Sequence, residues 1–421
     1  MLMLKRWLSR PESLLMVAAA AMPVSFWGWT VLLNNFTVEA AAFTGREIGI
    51  LQSVREVPGF LSLLVVYLLI VVAEQRLAFI SLILLGAGVA LTGYFPTPLG
   101  LYVTTLISSI GFHYYETCNQ SLALQWLDKK HAPVTLGRIY GIGAAAQVAT
   151  LGAIFIACMA AAGDWSWTAL AAGISPSASR DVYIVTYVIA GGITVAMAAG
   201  AWMIFPHFPE KVRQRRRIIL RKRYWLYYAL TFVAGARRQI FLVFAGFLMV
   251  EKFGYSVMHI TALFLANAVL NIWLAPLIGR IIGRVGERAA LVAEYIGLIG
   301  VFTAYAFVDD AIVAAGLYLV DHMFFAFAIA IRTYFQKIGD AADMASTASV
   351  AFTINHIAAV VVPVAFGFVW LVMPAAVFLA GAGMALASLL LSFNIPRHPD
   401  SGNEVVIGPR GKTQPEVKAA D

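Results

Sequence analysis

The chain has 421 residues, of which 61% are hydrophobic and 12% are charged, and its mean hydropathy is +0.81. A soluble domain needs far more polar surface, so this composition excludes a soluble globular protein and indicates an integral membrane protein. The formal net charge is +8, but the basic residues lie beside the ends of apolar segments, which the positive-inside rule explains better than nucleic-acid binding does.

Apolar segments long enough to cross a bilayer follow one another along the chain. A helix crosses the hydrocarbon core with about 20 apolar residues. The leader MLMLKRWLSRPES is basic and has no small-residue cleavage site, so we expect no cleaved signal peptide. We predict an all-α polytopic membrane protein with about twelve transmembrane helices, at residues 14–36, 47–73, 77–95, 98–126, 138–162, 181–205, 224–250, 256–279, 289–307, 311–335, 345–372 and 374–394.

Lysine and arginine residues near the span ends predict the orientation of the chain. The side of the termini receives Lys5, Arg6, Arg10, Lys129, Lys130, the run EKVRQRRRIILRKR, Arg280, Arg284 and Arg288, whereas the opposite side receives Arg46, Arg180 and Lys252. We therefore expect both termini in the cytoplasm and a multi-pass protein of the cytoplasmic (inner) membrane.

The basic run divides the chain into two halves. We predict an N-terminal six-helix bundle at residues 1–205, a basic cytoplasmic linker at 206–223 and a C-terminal six-helix bundle at 224–394. The tail at 395–421 is polar and rich in Gly and Pro, so we expect it to be disordered.

The two halves repeat weakly in sequence. When one half is aligned with the other, His113 falls on His322 and Gln147 falls on His356. Internal repeats in a polytopic membrane chain are typical of secondary transporters, whose binding site lies near the midplane of the bilayer.

The loop after span 8 reads GRIIGRVGER. It resembles the signature G-x-x-x-D-R-x-G-R-R of the major facilitator superfamily, with Gly283 in place of the aspartate. The resemblance extends over the chain except its tail and implies two pseudo-symmetric six-helix bundles, with spans 1, 4, 7 and 10 lining a central cavity. It also implies gating roles for Arg284 and Arg288. The drug-exporter signatures are missing, since Ile107 replaces the helix-4 arginine and GIGAAAQVATLGAIF has no Gly-Pro.

Span 7 carries two adjacent arginines, Arg237 and Arg238, about thirteen residues from either span end, or roughly 20 Å at 1.5 Å per residue. Neighbouring side chains on a helix point about 100° apart. We expect one arginine to face the cavity, where its fork of donors suits a carboxylate or phosphate, and the other to face a neighbouring helix. Both could instead be structural ties to helix carboxylates. The repeat places Trp27 opposite them, as an aromatic cavity wall or as bulk.

Span 4 carries FHYYETCNQ, in which His113 and Glu116 are three residues apart and share a helix face. An imidazole and a carboxylate in a cavity can bind and release protons, which coupling to a proton gradient requires. The same spacing could hold a transition metal with Cys118 nearby. Tyr115 could hydrogen-bond a ligand or only pack.

Spans 10 and 11 add further intramembrane polar residues. Asp321 and His322 are adjacent in span 10, and Asn355 and His356 lie deep in span 11. We expect Asp321 to carry a proton and the other three to contact the substrate, although an intramembrane histidine is often only a hydrogen-bonded packing element.

Span 2 contains the adjacent charges Arg55 and Glu56. Adjacent side chains diverge on a helix, so we expect each to pair across helices, Glu56 with Arg237 or Arg238 and Arg55 with Glu116. A gating role and substrate contact are equally open for this pair. We also expect Glu294, near the cytoplasmic start of span 9, to meet Arg284 or Arg288.

Three functions remain open. The first is proton-coupled transport of a small organic anion, which Arg237 or Arg238 binds while Glu116, Glu56 or Asp321 carries the proton. The second is transport of a transition metal or metal chelate through His113, Glu116, His322 and His356, with efflux of amphiphilic compounds as a variant. The third is a membrane sensor or intramembrane enzyme, which the absence of zinc, nucleophile-elbow and P-loop motifs disfavours. We expect a monomer that is not an enzyme and needs no cofactor, with a small-molecule substrate and protons or another coupling ion as its partners.

Overall fold

The computed structural model of the protein describes residues 6–127, 132–162, 176–209, 220–340 and 344–411. Several sequence-based expectations lie outside these residues, namely those for Lys5, Lys129, Lys130, most of the basic run in the linker and the end of the tail beyond Gly411.

The described residues form twelve main helices in chain order. They are α1 (Pro11–Glu39), α2 (Gly45–Phe60, continued by Leu61–Leu64 and Val65–Leu68), α3 (Glu74–Thr92), α4 (Pro98–Trp126), α5 (Ala132–Ala162), α6 (Pro176–Ile204), α7 (Trp225–Ile240, Phe241–Ala245 and Gly246–Glu251), α8 (Val257–Val285), α9 (Glu287–Phe307), α10 (Ala311–Phe324, Phe325–Phe327 and Ala328–Ile338), α11 (Met344–Trp370) and α12 (Pro374–Ser392). Most helix ends lie within a few residues of the predicted spans.

The starts of these helices follow from local sequence. Thr44 and Glu47 form a capping box at the start of α2: the Thr44 side chain accepts from the backbone N–H of Glu47, and the Glu47 side chain accepts from the backbone N–H of Thr44. The Thr97 side chain caps α4, and the Asp310 side chain caps α10. Proline at the first position opens α1, α4 and α12, where its missing N–H has no helical partner to lose.

Ten helices in the described part of the chain are long and apolar enough to cross a membrane. The two main helices outside that set are α2, which carries four charged residues in its first sixteen, and α4, which is rich in Ser, Thr and other polar side chains. The predicted class, an all-α polytopic membrane protein, is confirmed.

The chain packs into two compact units. Unit 1 contains Met1–Arg215 and Gly246–Ala268, and unit 2 contains Arg216–Ala245 and Val269–Asp421. Residues 246–268 therefore cluster with the N-terminal helices, unlike the boundary that the sequence suggests. One reason is a contact inside unit 1, where Asn35 Nδ2 of α1 donates a hydrogen bond to the backbone oxygen of Tyr255 over 2.6 Å.

Each unit repeats the same helix pairings. In unit 1, α1 packs on α5 and α3 packs on α6. In unit 2, α7 packs on α11 and α9 packs on α12, the corresponding helices of the second half. The two bundles are thus pseudo-symmetric, as the sequence repeat predicts.

Glycines allow a close helix contact in unit 1. A Cβ atom on Gly86 of α3 would lie 2.6 Å from the backbone oxygen of Gly191 in α6. A Cβ on Gly191 would strike the backbone of α3 in turn, whereas one on the next residue, Gly192, would meet nothing within 4 Å. Backbone-to-backbone packing of this kind needs small residues at the contact.

The expectation of a disordered tail is wrong for its first part. Residues 395–411 fold against unit 2, and the Glu404 side chain is fully buried there. Tyr334 Oη donates a hydrogen bond to the Glu404 backbone oxygen over 2.5 Å, and Arg223 Nη1 lies 3.7 Å from Glu404 Oε1. Asn394 adds two hydrogen bonds to the backbone of Ile407. Composition alone missed these anchors because only a few residues supply them.

Candidate functional site

Two helices of unit 2 are irregular at the same place. The first part of α7 is followed by a π-helical segment, Phe241–Ala245, which begins three residues after Arg238. In α10, a 3-10 segment at Phe325–Phe327 begins three residues after His322. The rings of Phe241 and Phe325 lie 5.6 Å apart and nearly perpendicular, so the two irregular segments touch. Irregular helix turns in membrane proteins often mark functional sites.

Arg237 points into unit 2. Its side chain is almost completely buried, at 4% exposure, and so is that of Glu294 on α9. Arg237 Nη2 lies 3.4 Å from Glu294 Oε1. The expectation that Glu294 meets Arg284 or Arg288 is therefore wrong, because the long arginine side chain spans the gap between α7 and α9.

Asp321 joins this pair as a second carboxylate. It is fully buried on α10 and interacts electrostatically with Arg237. Neither of its carboxylate oxygens has a hydrogen-bond partner among the described residues, and the same holds for Arg237 Nε and Nη1 and for Glu294 Oε2. The hydroxyl of Tyr295, the neighbour of Glu294, is also buried without such a partner. One guanidinium thus serves two buried carboxylates in a cluster with spare donors and acceptors.

Arg238 points the other way, as the helical spacing predicts. It is exposed, and its Cζ lies 5.5 Å from the centre of the Phe325 ring. Of the two arginines, Arg238 is the one whose side chain is exposed.

His322 stands beside Arg238 and interacts with it electrostatically. Its Nδ1 lies 3.0 Å from the Tyr318 backbone oxygen, which can only accept, so Nδ1 carries the proton and Nε2 is the acceptor of the neutral ring. The imidazole is packed among three aromatic rings, with centroids at 5.1 Å for Phe241, 4.4 Å for Tyr318 and 5.0 Å for Phe325. Phe241 and Tyr318 are buried, while His322 and Phe325 are partly exposed.

The predicted residues of α11 lie on an accessible part of that helix. Asn355 is exposed, and its Oδ1 is in contact with Gly235 of α7, where a side chain would displace it. His356 is half-buried, with Nδ1 2.9 Å from the Phe352 backbone oxygen and its ring 4.1 Å from the Phe352 ring. The glycine therefore lets α7 and α11 approach closely one turn before Arg238.

In unit 1, Arg55 and Glu56 pair with each other. Arg55 Nε and Nη2 both donate to Glu56 Oε1, over 2.9 and 2.6 Å. Arg55 therefore pairs with its neighbour in the chain and not with Glu116, so that expectation is wrong. The expected pairing of Glu56 with Arg237 or Arg238 stays a prediction. The Cα–Cβ directions diverge, but the arginine side chain is long enough to fold back onto its neighbour. Its Cζ also lies 5.9 Å from the ring of Trp29.

His113 of α4 faces this ion pair. Its Nε2 lies 3.9 Å from Glu56 Oε2, and its Nδ1 lies 3.0 Å from both the backbone oxygen and the hydroxyl of Ser109. The Ser109 hydroxyl in turn donates to the Arg55 backbone oxygen. This chain of contacts connects α2 and α4 through four side chains.

Glu116 does not join His113, although the two share a helix face. Its carboxylate is hydrogen-bonded to the Gln120 side chain one turn further on. Tyr115 and Cys118 are buried, so neither is presented to a solute. Trp27 packs edge-on against Phe26 and Phe264 within unit 1.

The two predicted gating arginines lie at the junction of α8 and α9. Arg284 is exposed in the last turn of α8, and Arg288 stacks at 5.8 Å over the Phe393 ring. The neighbouring Glu287 pairs with Lys337 over 2.8 Å. These contacts tie the start of α9 to α10 and to the end of α12.

Sequence reasoning missed Glu294 and Phe325 as members of the site. Glu294 could have been found, because an intramembrane carboxylate is better paired with an intramembrane arginine than with one in a loop. Phe325 lies in a run of apolar residues without proline or glycine, so no local signal marks the break in α10.

Comparison with known proteins agrees with this architecture. The sequence profile of the Major Facilitator Superfamily matches residues 14–363. The crystal structure of the nucleoside transporter NupG is similar with a TM-score of 0.70 at 14% identity, covering 91% of this chain and 97% of that one. A bacterial homologue of the human lysosomal transporter Spinster, in an inward-facing and unoccupied conformation, is similar with a TM-score of 0.68 at 12% identity, covering 91% and 95%. No curated protein sequence matches significantly. The chain belongs to the major facilitator superfamily.

Proposed function

We propose that this member of the superfamily is a secondary active transporter that moves a small organic anion by alternating access, coupled to protons. The observation that carries the proposal is the difference in surroundings between two adjacent arginines. Arg237 is buried with two carboxylates, whereas Arg238 is exposed beside an imidazole and an aromatic ring.

The chemistry of the Arg238 side chain supports the proposal that the substrate is an anion. Its guanidinium stays charged at any working pH and offers five N–H donors in one plane, a geometry that matches a carboxylate or phosphate. A bare metal cation would be repelled at this position. Asn355 and His356, exposed and half-buried on α11, are further candidates for substrate contact.

Arg237, Glu294 and Asp321 support proton coupling. If both carboxylates were ionised, the buried cluster would carry one uncompensated negative charge, which is strongly unfavourable in low dielectric. One proton on either carboxylate removes that charge. Glu294 on α9 thus joins Asp321 as a proton carrier, alongside the predicted candidates Glu116 and Glu56 of unit 1.

Neighbouring residues in α7 and in α10 connect the proposed anion site with the proposed proton site. Arg237 is the neighbour of Arg238 in α7, and Asp321 is the neighbour of His322 in α10. A shift of either helix that changes the anion contact also changes the distance between Arg237 and the carboxylates. Loading of an anion at Arg238 and of a proton at Asp321 or Glu294 can therefore depend on each other.

The distribution of basic residues supports the cellular placement that we propose. It favours both termini in the cytoplasm and a chain in the cytoplasmic membrane. We propose that the transporter is a monomer.

Ligand-induced thermal stabilisation of the purified protein tests the anion site. The panel contains organic carboxylates and phosphates, uridine as an uncharged nucleoside, divalent metals and amphiphilic amines. We expect stabilisation by at least one anion, its loss in Arg238→Gln and its retention in Arg46→Gln, an exposed arginine at the start of α2. Stabilisation by uridine or amines alone would contradict an anionic substrate.

One contact in unit 1 favours a second candidate, transport of a metal chelate. His113 Nε2 lies 3.9 Å from Glu56 Oε2, and an imidazole and a carboxylate side by side can hold a proton or a metal cation. Arg55 already neutralises Glu56, which favours the proton. Stabilisation by a divalent metal that His113→Ala abolishes, without stabilisation by any free anion, would establish the second candidate instead.

A further inference from the structure

The side chains around Arg238 show which kind of anion the site prefers. Arg238, His322 and Phe325 are the accessible members of a cluster whose buried members are Phe241 and Tyr318. The accessible side chains combine one fixed positive charge, one ring nitrogen acceptor and one aromatic surface.

The buried members hold the accessible ones in place. Phe241 is fully buried and packs edge-on against Phe325 at 5.6 Å and against His322 at 5.1 Å. Tyr318 supplies the backbone oxygen that binds His322 Nδ1. A subsite whose side chains are already oriented loses little conformational entropy when a ligand binds.

Both helices change from α-helix to another helix type at this cluster. The π-helical segment begins at Phe241 and the 3-10 segment begins at Phe325, so both breaks start at residues of the cluster. Neither segment contains a proline that would account for the break by itself.

A saturated anion would use only part of this surface. Its charge would meet Arg238, but an aliphatic body gains no quadrupole interaction from Phe325 or His322. A planar aromatic body adds edge-to-face or offset stacking, worth about 0.5–1.5 kcal/mol per ring pair, or roughly two- to tenfold in affinity.

We propose that Arg238, His322 and Phe325 form a subsite for a planar aromatic carboxylate, with the carboxylate on Arg238 and the ring against Phe325 and His322. This assignment rests on the proposed function, transport of a small organic anion, and narrows its substrate class.

Matched ligands separate the contributions of ring and charge. Binding to the purified full chain is measured by thermal stabilisation and calorimetry with benzoate, cyclohexanecarboxylate and benzamide. These compounds differ in aromaticity at equal charge, or in charge with the same ring. We expect benzoate to bind about two- to tenfold more tightly than cyclohexanecarboxylate, and benzamide to bind more weakly than both.

Variants of the chain separate the side chains. Phe325→Leu should remove the preference for benzoate over cyclohexanecarboxylate and leave the preference for a charged ligand. Arg238→Gln should weaken both carboxylates. Phe327→Leu, two residues further along the same 3-10 segment, should change neither, and its melting temperature controls for disruption of α10.

The outcomes distinguish the two levels of the proposal. Equal binding of benzoate and cyclohexanecarboxylate, lost together in Arg238→Gln, would overturn the aromatic assignment and leave the proposed anion transport intact. Benzamide binding as tightly as benzoate would overturn the role of Arg238 in this subsite. If no carboxylate of any kind binds, the proposed function itself is overturned.

Discussion

Arg237 Nη2 of α7 lies 3.4 Å from Glu294 Oε1 of α9, inside unit 2, where both side chains are almost completely buried. Removing one partner of a buried ion pair strands the other charge and costs about 3–5 kcal/mol. We therefore expect Arg237→Met to lower the free energy of unfolding by that amount, measured by denaturation of the purified protein in detergent.

A double-mutant cycle tests whether the loss comes from the stranded carboxylate. Arg237→Met together with Glu294→Gln should destabilise the protein by clearly less than the sum of the two single changes, since residues in contact are not additive. Additive losses would contradict the ion pair. Arg46→Met is the control: its exposed pair with Glu47 is worth less than about 1 kcal/mol, so its loss should cost little stability.

The contact of α3 with α6 predicts a difference between two adjacent glycines. A methyl group on Gly191 would strike the backbone of α3, whereas one on Gly192 would meet nothing within 4 Å. Gly191→Ala should therefore destabilise the protein by about 1–3 kcal/mol, the usual cost of overpacking. Gly192→Ala should be neutral or slightly stabilising, because alanine favours helix by about 1 kcal/mol over glycine. Equal melting temperatures for the two variants would show that α3 and α6 do not meet at Gly191.

The folded part of the C-terminal segment predicts which truncation is tolerated. A chain that ends at Gly411 keeps Glu404 and its contacts with Arg223 and Tyr334, so its melting temperature should match that of the full chain. A chain that ends at Pro396 loses them. Glu404→Ala removes the carboxylate that accepts from the backbone N–H groups of Gly402 and Gly411, and it should lower the free energy of unfolding by about 1.5–3 kcal/mol, as for other hydrogen bonds to charged groups. If the chain ending at Pro396 melted like the full chain, residues 397–411 would not be part of the folded unit.

Two arginine–glutamate neighbours on α2 form a natural comparison. Both arginines hold the neighbouring glutamate with Nε and Nη2, but the Arg55 side chain is 19% exposed and the Arg46 side chain is 52% exposed. Lysine cannot reproduce the two-donor geometry of arginine. Arg55→Lys should therefore cost about 1.5–3 kcal/mol, and Arg46→Lys less than about 1 kcal/mol, in the same unfolding assay. A loss at Arg46 as large as that at Arg55 would show that exposure does not decide the strength of these pairs.

Much of the architecture could be predicted from hydropathy and the repeat, because a lipid environment demands long apolar helices and internally satisfied backbone. The opposite directions of Arg237 and Arg238 could also be predicted, since they follow from helix geometry alone. The carboxylates with which the arginines pair could not be predicted. Arg55 folds back onto Glu56, and Arg237 reaches Glu294 on a different helix, because arginine side chains are long enough to ignore the direction of their Cα–Cβ bonds.

Two other features gave no signal in the sequence. The break in α10 at Phe325 lies in an apolar run without proline or glycine, and it depends on packing against Phe241. The C-terminal segment has the composition of a disordered tail, and its order rests on Glu404 and Asn394. Both depend on contacts between residues far apart in the chain, which local composition does not report.

Proton movement driven by an anion gradient tests the central proposal most directly. Proteoliposomes with a pH-sensitive dye inside receive an inward gradient of an anion that stabilises the protein and does not cross the bilayer unaided, and the internal pH is recorded. We predict acidification with the wild-type chain, its loss in Asp321→Asn and Glu294→Gln, and its loss in Arg238→Gln through failure to bind the anion. Anion uptake by the wild type without any change of internal pH, or the same acidification in Asp321→Asn and Glu294→Gln as in the wild type, would contradict proton coupling through this buried cluster.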